Sequence, residues 1–111
     1  VANFAAYCAT KASIIMMSQA ASAELAASRI RVNCYAPGHT ETPMMFGLLD
    51  KIAAAQNSTR DQVYEDLAAT VPWGRWGQPE DVASTVSWLC SDEADYITGQ
   101  CIAMNGGELP W

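Results

Sequence analysis

Residues 4 to 27 carry no Pro and no Gly and are rich in Ala, Ser and Met. That run constrains the fold more than any other stretch, because it favours one long, unbroken helix. Ile14, Ile15, Met17, Ala20, Ala21 and Leu25 occupy more than one face of such a helix, which predicts burial on two sides. Near its start stand Tyr7 and Lys11, in the run Tyr7-Cys8-Ala9-Thr10-Lys11. A four-residue offset puts both side chains on one face, one turn apart. A phenol beside an ammonium is a proton donor in waiting, since positive charge favours phenolate. Bringing a phenol from its ordinary value of roughly 10 to near neutrality takes about 4 kcal/mol of differential stabilisation. One exposed Lys does not supply that, so a second positive charge and partial burial have to contribute. The pair alone recurs by chance, and a surface Lys beside a core Tyr is the plainer reading of it.

Composition narrows the function classes. Of 111 residues, 50% are hydrophobic and 16% charged, the balance of one modest globular domain. The net charge of −6 argues against nucleic acid, whose phosphates an acidic surface repels, and against anionic membranes. No apolar run approaches the length of a membrane span. Cys8, Cys34, Cys90 and Cys101 form no close pair in sequence, and His39 is the single histidine, so no metal site is expected. The thiols read as small buried apolar residues of a reducing cytoplasm.

Three further segments follow the Tyr–Lys pair. They are Arg31-Val32-Asn33-Cys34-Tyr35-Ala36-Pro37-Gly38-His39-Thr40-Glu41-Thr42-Pro43-Met44, then Gly74-Arg75-Trp76-Gly77-Gln78-Pro79-Glu80-Asp81-Val82-Ala83, then Tyr96-Ile97-Thr98-Gly99-Gln100 running on to Asn105-Gly106-Gly107. In this order and spacing they resemble the C-terminal half of a short-chain dehydrogenase/reductase, and the resemblance covers essentially all of residues 1–111. It implies an α/β fold, the C-terminal portion of a Rossmann-like doubly wound parallel sheet. Residues 43–70 would form the helical substrate lid within it.

The residues also mark the elements directly. Ile30, Val32 and Tyr35 predict a strand over residues 29–36, ended by Pro37-Gly38. Residues 43–55 and 59–70 read as two short helices, with apolar stripes at Met44, Met45, Leu48, Leu49 and Ile52 and at Val63, Tyr64 and Leu67. Pro79 opens a fourth helix, with Glu80 and Asp81 complementing its dipole. A last strand is expected over residues 97–104. Trp73 and Trp76 lie in a turn-rich connector, and Trp76 reads as an anchor; the resemblance implies a structural role for Arg75.

The resemblance assigns roles residue by residue. Tyr7 is the general acid/base, and Lys11 favours its phenolate and hydrogen-bonds nicotinamide ribose. Pro37, Gly38, Thr40 and Thr42 bind the nicotinamide carboxamide of NAD or NADP, the oxidised ring adding the second positive charge. Thr42-Pro43 reads equally as a helix N-cap with Pro at the first helical position. Met44, Met45, Leu48 and Trp73 face a small alcohol or ketone, although packing the lid is the plainer role for each. The lid's length resembles those of polyol and acetoin-type reductases. His39 is not a family catalytic residue, and Asn105 replaces the usual Asp. The family assembles as dimers or tetramers through the Tyr–Lys helix and the C-terminal strand, so a cytoplasmic homo-oligomer is expected.

No Gly-rich pyrophosphate turn is found, and the family's catalytic Ser and structural Asn would fall before Val1. The chain therefore reads as a piece of a longer enzyme, inactive by itself. Two rivals stand beside that reading: a non-catalytic oligomerisation module, and one half of a split dehydrogenase.

Overall fold

The computed structural model describes residues 4–108. Its elements run α1 (Ala5–Leu25), β1 (Cys34–Pro37), α2 (Pro43–Gln56), α3 (Arg60–Ala68), α4 (Pro79–Leu89) and β2 (Cys101–Met104). The strands pair in one sheet. Cys34 N–H donates to Gln100 O at 2.9 Å and Gly38 N–H to Met104 O at 3.0 Å, so residue numbers rise together along both strands and the pairing is parallel. The chain divides into two compact units: residues up to Tyr35 with Ser87–Ile102, and Ala36–Val86 with residues from Ala103 onward.

In the first unit α1 is the long helix its composition predicts. Its hydroxyls bond back along the helix, Thr10 to Tyr7 O at 2.7 Å, Ser13 to Ala9 O at 2.8 Å and Ser18 to Ile14 O at 2.8 Å, sharing carbonyls of the helix itself so that these polar groups are satisfied within it. It ends in a short 3-10 turn, Ala26–Ser28, and Arg29 in the left-handed region at φ 59°. The expected burial on two sides is corrected: only Ile15, Ser18, Ala21 and Ser22 are covered, one stripe at helical spacing. Ile14 is 47% exposed and Met17 68%, because among the described residues nothing packs on the opposite face. Of the thiols, Cys34 is buried, Cys101 half-buried and Cys8 exposed, while Cys90 is exposed rather than buried as its type suggested.

Both strands are shorter than their sequence patterns. Residues 31–33 engage their neighbours mostly through side chains, with one backbone bond, Gly99 N–H to Val32 O at 2.7 Å. The Arg31 guanidinium donates to Leu89 O at 2.6 Å and Ser91 O at 3.2 Å. The Asn33 amide donates to Ile97 O at 2.8 Å and accepts from Gln100 N–H at 3.0 Å. Gly99 breaks the extended run before β2 with φ +70°, and a Cβ there would lie 2.7 Å from Ser22 Oγ. Glycine is what lets the backbone turn left-handed against the buried Ser22.

The second unit has its own hydrophobic core: Leu49, Ala53, Val63, Ala68, Val71 and Trp76, with Met45, Phe46, Ile52, Tyr64 and Leu67 packed around them. Helices α2 and α3 form a hairpin. Thr42 caps α2 by accepting from Met45 N–H, with Pro43 at the first helical position, and Thr59 caps α3 by accepting from Gln62 N–H. Arg60 clamps the hairpin by a two-pronged pair with Asp50 at 2.6 and 2.8 Å. Trp76 is fully buried, the anchor its sequence context suggested. The Trp76 ring stacks on His39, with centroids 5.0 Å apart, and meets Tyr64 at 4.9 Å.

Candidate active site

In the first unit the one-turn spacing brings Tyr7 and Lys11 together. Lys11 Nζ lies 5.4 Å from the centroid of the Tyr7 ring, against its face, an electrostatically favourable place for a cation. Phe4 meets the same ring edge-on at 5.9 Å. Tyr7 is 57% exposed and Lys11 is exposed, so the hydroxyl and the ammonium are both open to a ligand.

In the second unit β1 delivers the chain into the loop at residues 38–42. The Gly38 N–H is taken by Met104 O, Gly77 N–H donates to His39 O at 2.9 Å and Glu41 N–H donates to Gly77 O at 2.9 Å. These bonds set Thr40 beside Gly77 in a parallel bridge. The glycine at 38 has a reason of its own: a Cβ there would lie 2.8 Å from Asn105 Cβ and 2.9 Å from Asn105 Cα. Close approach of the 105–108 turn therefore requires Gly38, whatever else the loop binds. In that turn the Asn105 side-chain oxygen accepts from Gly107 N–H at 3.1 Å.

The Thr40 hydroxyl donates to Gly38 O at 3.1 Å. The Thr42 hydroxyl accepts from Met45 N–H at 3.3 Å, which leaves its own proton to donate. His39 is held in place: Nδ1 lies 2.5 Å from Glu108 Oε1, with the ring flat on Trp76. Arg75 is structural, as the resemblance implied. It donates to Trp76 O at 2.8 Å and to Asp81 at 2.7 and 3.2 Å. The guanidinium, followed by the Gln78 N–H, holds the Asp81 carboxyl down at about 2.

Of the four residues expected to face substrate, Trp73, 74% exposed, lines an open cavity of about 530 Å³ with Arg75, Asp81, Ser84, Thr85 and the 103–107 turn. Met44 is 81% exposed and Leu48 48%, and neither lines that cavity. Met45 packs against the core.

Sequence reasoning assigned no role to Glu41, and it placed Tyr64 only in an apolar stripe. The Tyr64 hydroxyl donates to Glu41 Oε1 at 2.7 Å. That bond, then one from Gln78, lowers the Glu41 carboxyl, and the same carboxylate pushes the Tyr64 phenol up to about 12. The partners are 23 positions apart, and no local pattern announces such a pair.

These features define a parallel α/β protein with an exposed Tyr–Lys pair on its first helix. The family described as enoyl-(acyl carrier protein) reductase matches residues 1–108. The diacetyl reductase, (S)-acetoin forming, of Staphylococcus aureus is 39% identical over 103 residues, covering 91% of this chain and 39% of that protein. A 3-oxoacyl-acyl-carrier-protein reductase of Thermotoga maritima is 42% identical over 101 residues, covering 91% of the chain and 37% of the relative. Among solved structures, a short chain dehydrogenase family protein of Francisella tularensis superposes with TM-score 0.92 at 30% identity, over 97% of this chain and 45% of that one. An actinorhodin polyketide ketoreductase with NADPH gives TM-score 0.90 at 31% identity, over 100% of this chain and 42% of its own. The chain belongs to the short-chain dehydrogenase/reductase family, and it spans about two fifths of the length of these relatives. Among the described residues, no helix is long and apolar enough to cross a membrane.

Proposed function

We propose that the chain is the C-terminal part of an NAD(P)-dependent oxidoreductase that interconverts a small ketone and its alcohol in the cytoplasm. The observation that carries this reading is the exposed Tyr7 with Lys11 Nζ 5.4 Å from its ring, in a chain matched along its length by reductases. The actinorhodin ketoreductase and the L-sorbose reductase of Gluconobacter frateurii are described with NADPH, which supports a nicotinamide cofactor.

The residues present fit that group. An exposed ammonium suits ribose hydroxyls, and Thr42 retains a hydroxyl proton for the carboxamide. Pro37, Gly38 and Thr40 offer backbone around it, although the Gly38 N–H is already bonded to Met104 O. A bound nicotinamide supplies or accepts the hydride. Tyr7 gives its hydroxyl proton to the carbonyl oxygen in reduction and takes the alcohol proton in oxidation. Lys11 stabilises negative charge as it develops on the Tyr7 oxygen. Residues 43–70 act as the lid that excludes water, with Met44, Leu48 and Trp73 toward substrate and Met45 packing the lid onto its core.

Residues 1–111 alone are expected to leave NADPH unoxidised in the presence of diacetyl. Joined behind the remaining part of the S. aureus diacetyl reductase, they are expected to restore turnover. Tyr7→Phe in that hybrid should lower it by about 10³-fold while NADPH binding, read by nicotinamide fluorescence, survives. A hybrid that binds NADPH and turns over equally well with Phe at 7 sinks the reading.

A second reading is favoured by the exposed apolar residues of α1: Ile14, Met16 and Met17 are 47%, 63% and 68% exposed. We infer that α1, with β2, pairs with a second copy of the chain. Sedimentation at rising concentration tests this, and a monomer throughout would end it.

A further inference from the structure

One contact in the second unit ties the lid to the loop that the preceding reading places against nicotinamide. Tyr64 stands on α3, whose Val63 and Ala68 are buried. Its hydroxyl, part-buried, donates to Glu41 Oε1 at 2.7 Å. Glu41 lies between Thr40 and Thr42, and its own N–H is held by Gly77 O at 2.9 Å. The ring of Tyr64 rests on Trp76, which is fully buried and stacked on His39 from the same loop. Besides Met104 O on the Gly38 N–H, Glu108 on His39 and Gln78 on Glu41, the loop is gripped by backbone at Gly77, by the indole under His39, and by a phenol on α3. Only the last reaches it from the lid hairpin through a single polar bond.

We propose that Tyr64 and Glu41 form a latch, a pair of positioning residues through which the lid helix α3 fixes the 38–42 loop. A hydrogen bond to a charged acceptor is stronger than a neutral one, and partial burial protects it from water. Closed, it holds Thr40 and Thr42 in one register. Broken, it frees the loop without disturbing the cap of α3, which rests on the Thr59 oxygen. For its functional meaning the proposal rests on the assignment of residues 38–42 to the cofactor. For its existence it does not.

The test is amide hydrogen exchange on the chain itself, followed at the Gly38 and Glu41 N–H groups. Tyr64→Phe keeps the ring on Trp76 and removes only the hydroxyl. Both amides are expected to exchange about tenfold faster or more. Glu41→Gln, which leaves a neutral acceptor, should give a smaller acceleration of the same amides. Asp50→Asn, which breaks the Arg60 clamp inside the hairpin, should leave them unchanged. Unchanged exchange in both Tyr64→Phe and Glu41→Gln overturns the latch. So does an equal acceleration by Asp50→Asn, which would make the effect general loosening. In the reductase hybrid, Tyr64→Phe should raise KM for NADPH several-fold with kcat little altered. A hybrid without turnover would count against the oxidoreductase reading, while the exchange result would still decide the latch.

Discussion

The two units solve the burial problem differently. The second folds its apolar residues onto each other: Trp76 and Leu49 are both fully buried, and the α2–α3 hairpin encloses a core of its own. The first places a comparably apolar sequence on α1 and covers one stripe of it, with Ile14, Met16 and Met17 left exposed. Its order comes instead from hydrogen bonds: Arg31 on the end of α4, and Asn33 between Ile97 and Gln100. The helix carrying Tyr7 thus depends on surfaces beyond itself for cover, whereas the hairpin assigned to the lid is internally packed. A hairpin with its own core can change its outer residues without unsettling that core.

The contrast predicts which substitutions act on chemistry and which on stability. The largest effect is expected from Tyr7→Phe, which should lower kcat of the hybrid by about 10³-fold with little change in melting temperature. A matching loss of stability would erase the distinction between the units. Trp76→Ala should destabilise the second unit by about 3–5 kcal/mol in denaturant melts, and exchange protection should fall in α2 and α3 first. Gly38→Ala should cost about 1–3 kcal/mol, because its Cβ would sit 2.8 Å from Asn105 Cβ and 2.9 Å from backbone. A neutral result would mean that the 105–108 turn yields.

Smaller effects follow from charge. Asp81 is held at about 2 by Arg75 and the Gln78 N–H, below its ordinary carboxylate value of 3.8. A depressed acid stabilises the fold above its unfolded value and loses that contribution as pH falls through the folded one. Acid titration of wild type should therefore show extra loss of stability between about pH 4 and pH 2, and Asp81→Asn should flatten it. Tyr64 has the opposite sign. Its phenol is raised to about 12, so its contribution holds below pH 10 and fades as pH climbs toward 12. The smallest effect is expected at Met17→Lys: within about 0.5 kcal/mol in the monomer, but with loss of any self-association in sedimentation.

Much was legible in the order of residues. The Pro- and Gly-free run became α1, Thr42-Pro43 capped α2, Pro79 opened α4, and Trp76 anchored the connector. These are local features, set by propensity, caps and turn residues within a few positions of one another. The strand ends were less legible. Residues 29–33 and 97–100 have the composition of strands, but a strand exists only where a partner's backbone lies alongside, and Gly99 interrupts the run with a positive φ.

By itself, the sequence determined the helices, the Thr42 cap and the Tyr7–Lys11 pairing, because each depends on neighbours within one or two turns, and the family resemblance, because motif order is itself a property of sequence. Tertiary structure alone decided that Gly38 makes room for Asn105, that His39 lies on Trp76, and that Tyr64 reaches Glu41. Those contacts join residues tens of positions apart, and no periodicity encodes a distance that only the folded backbone closes.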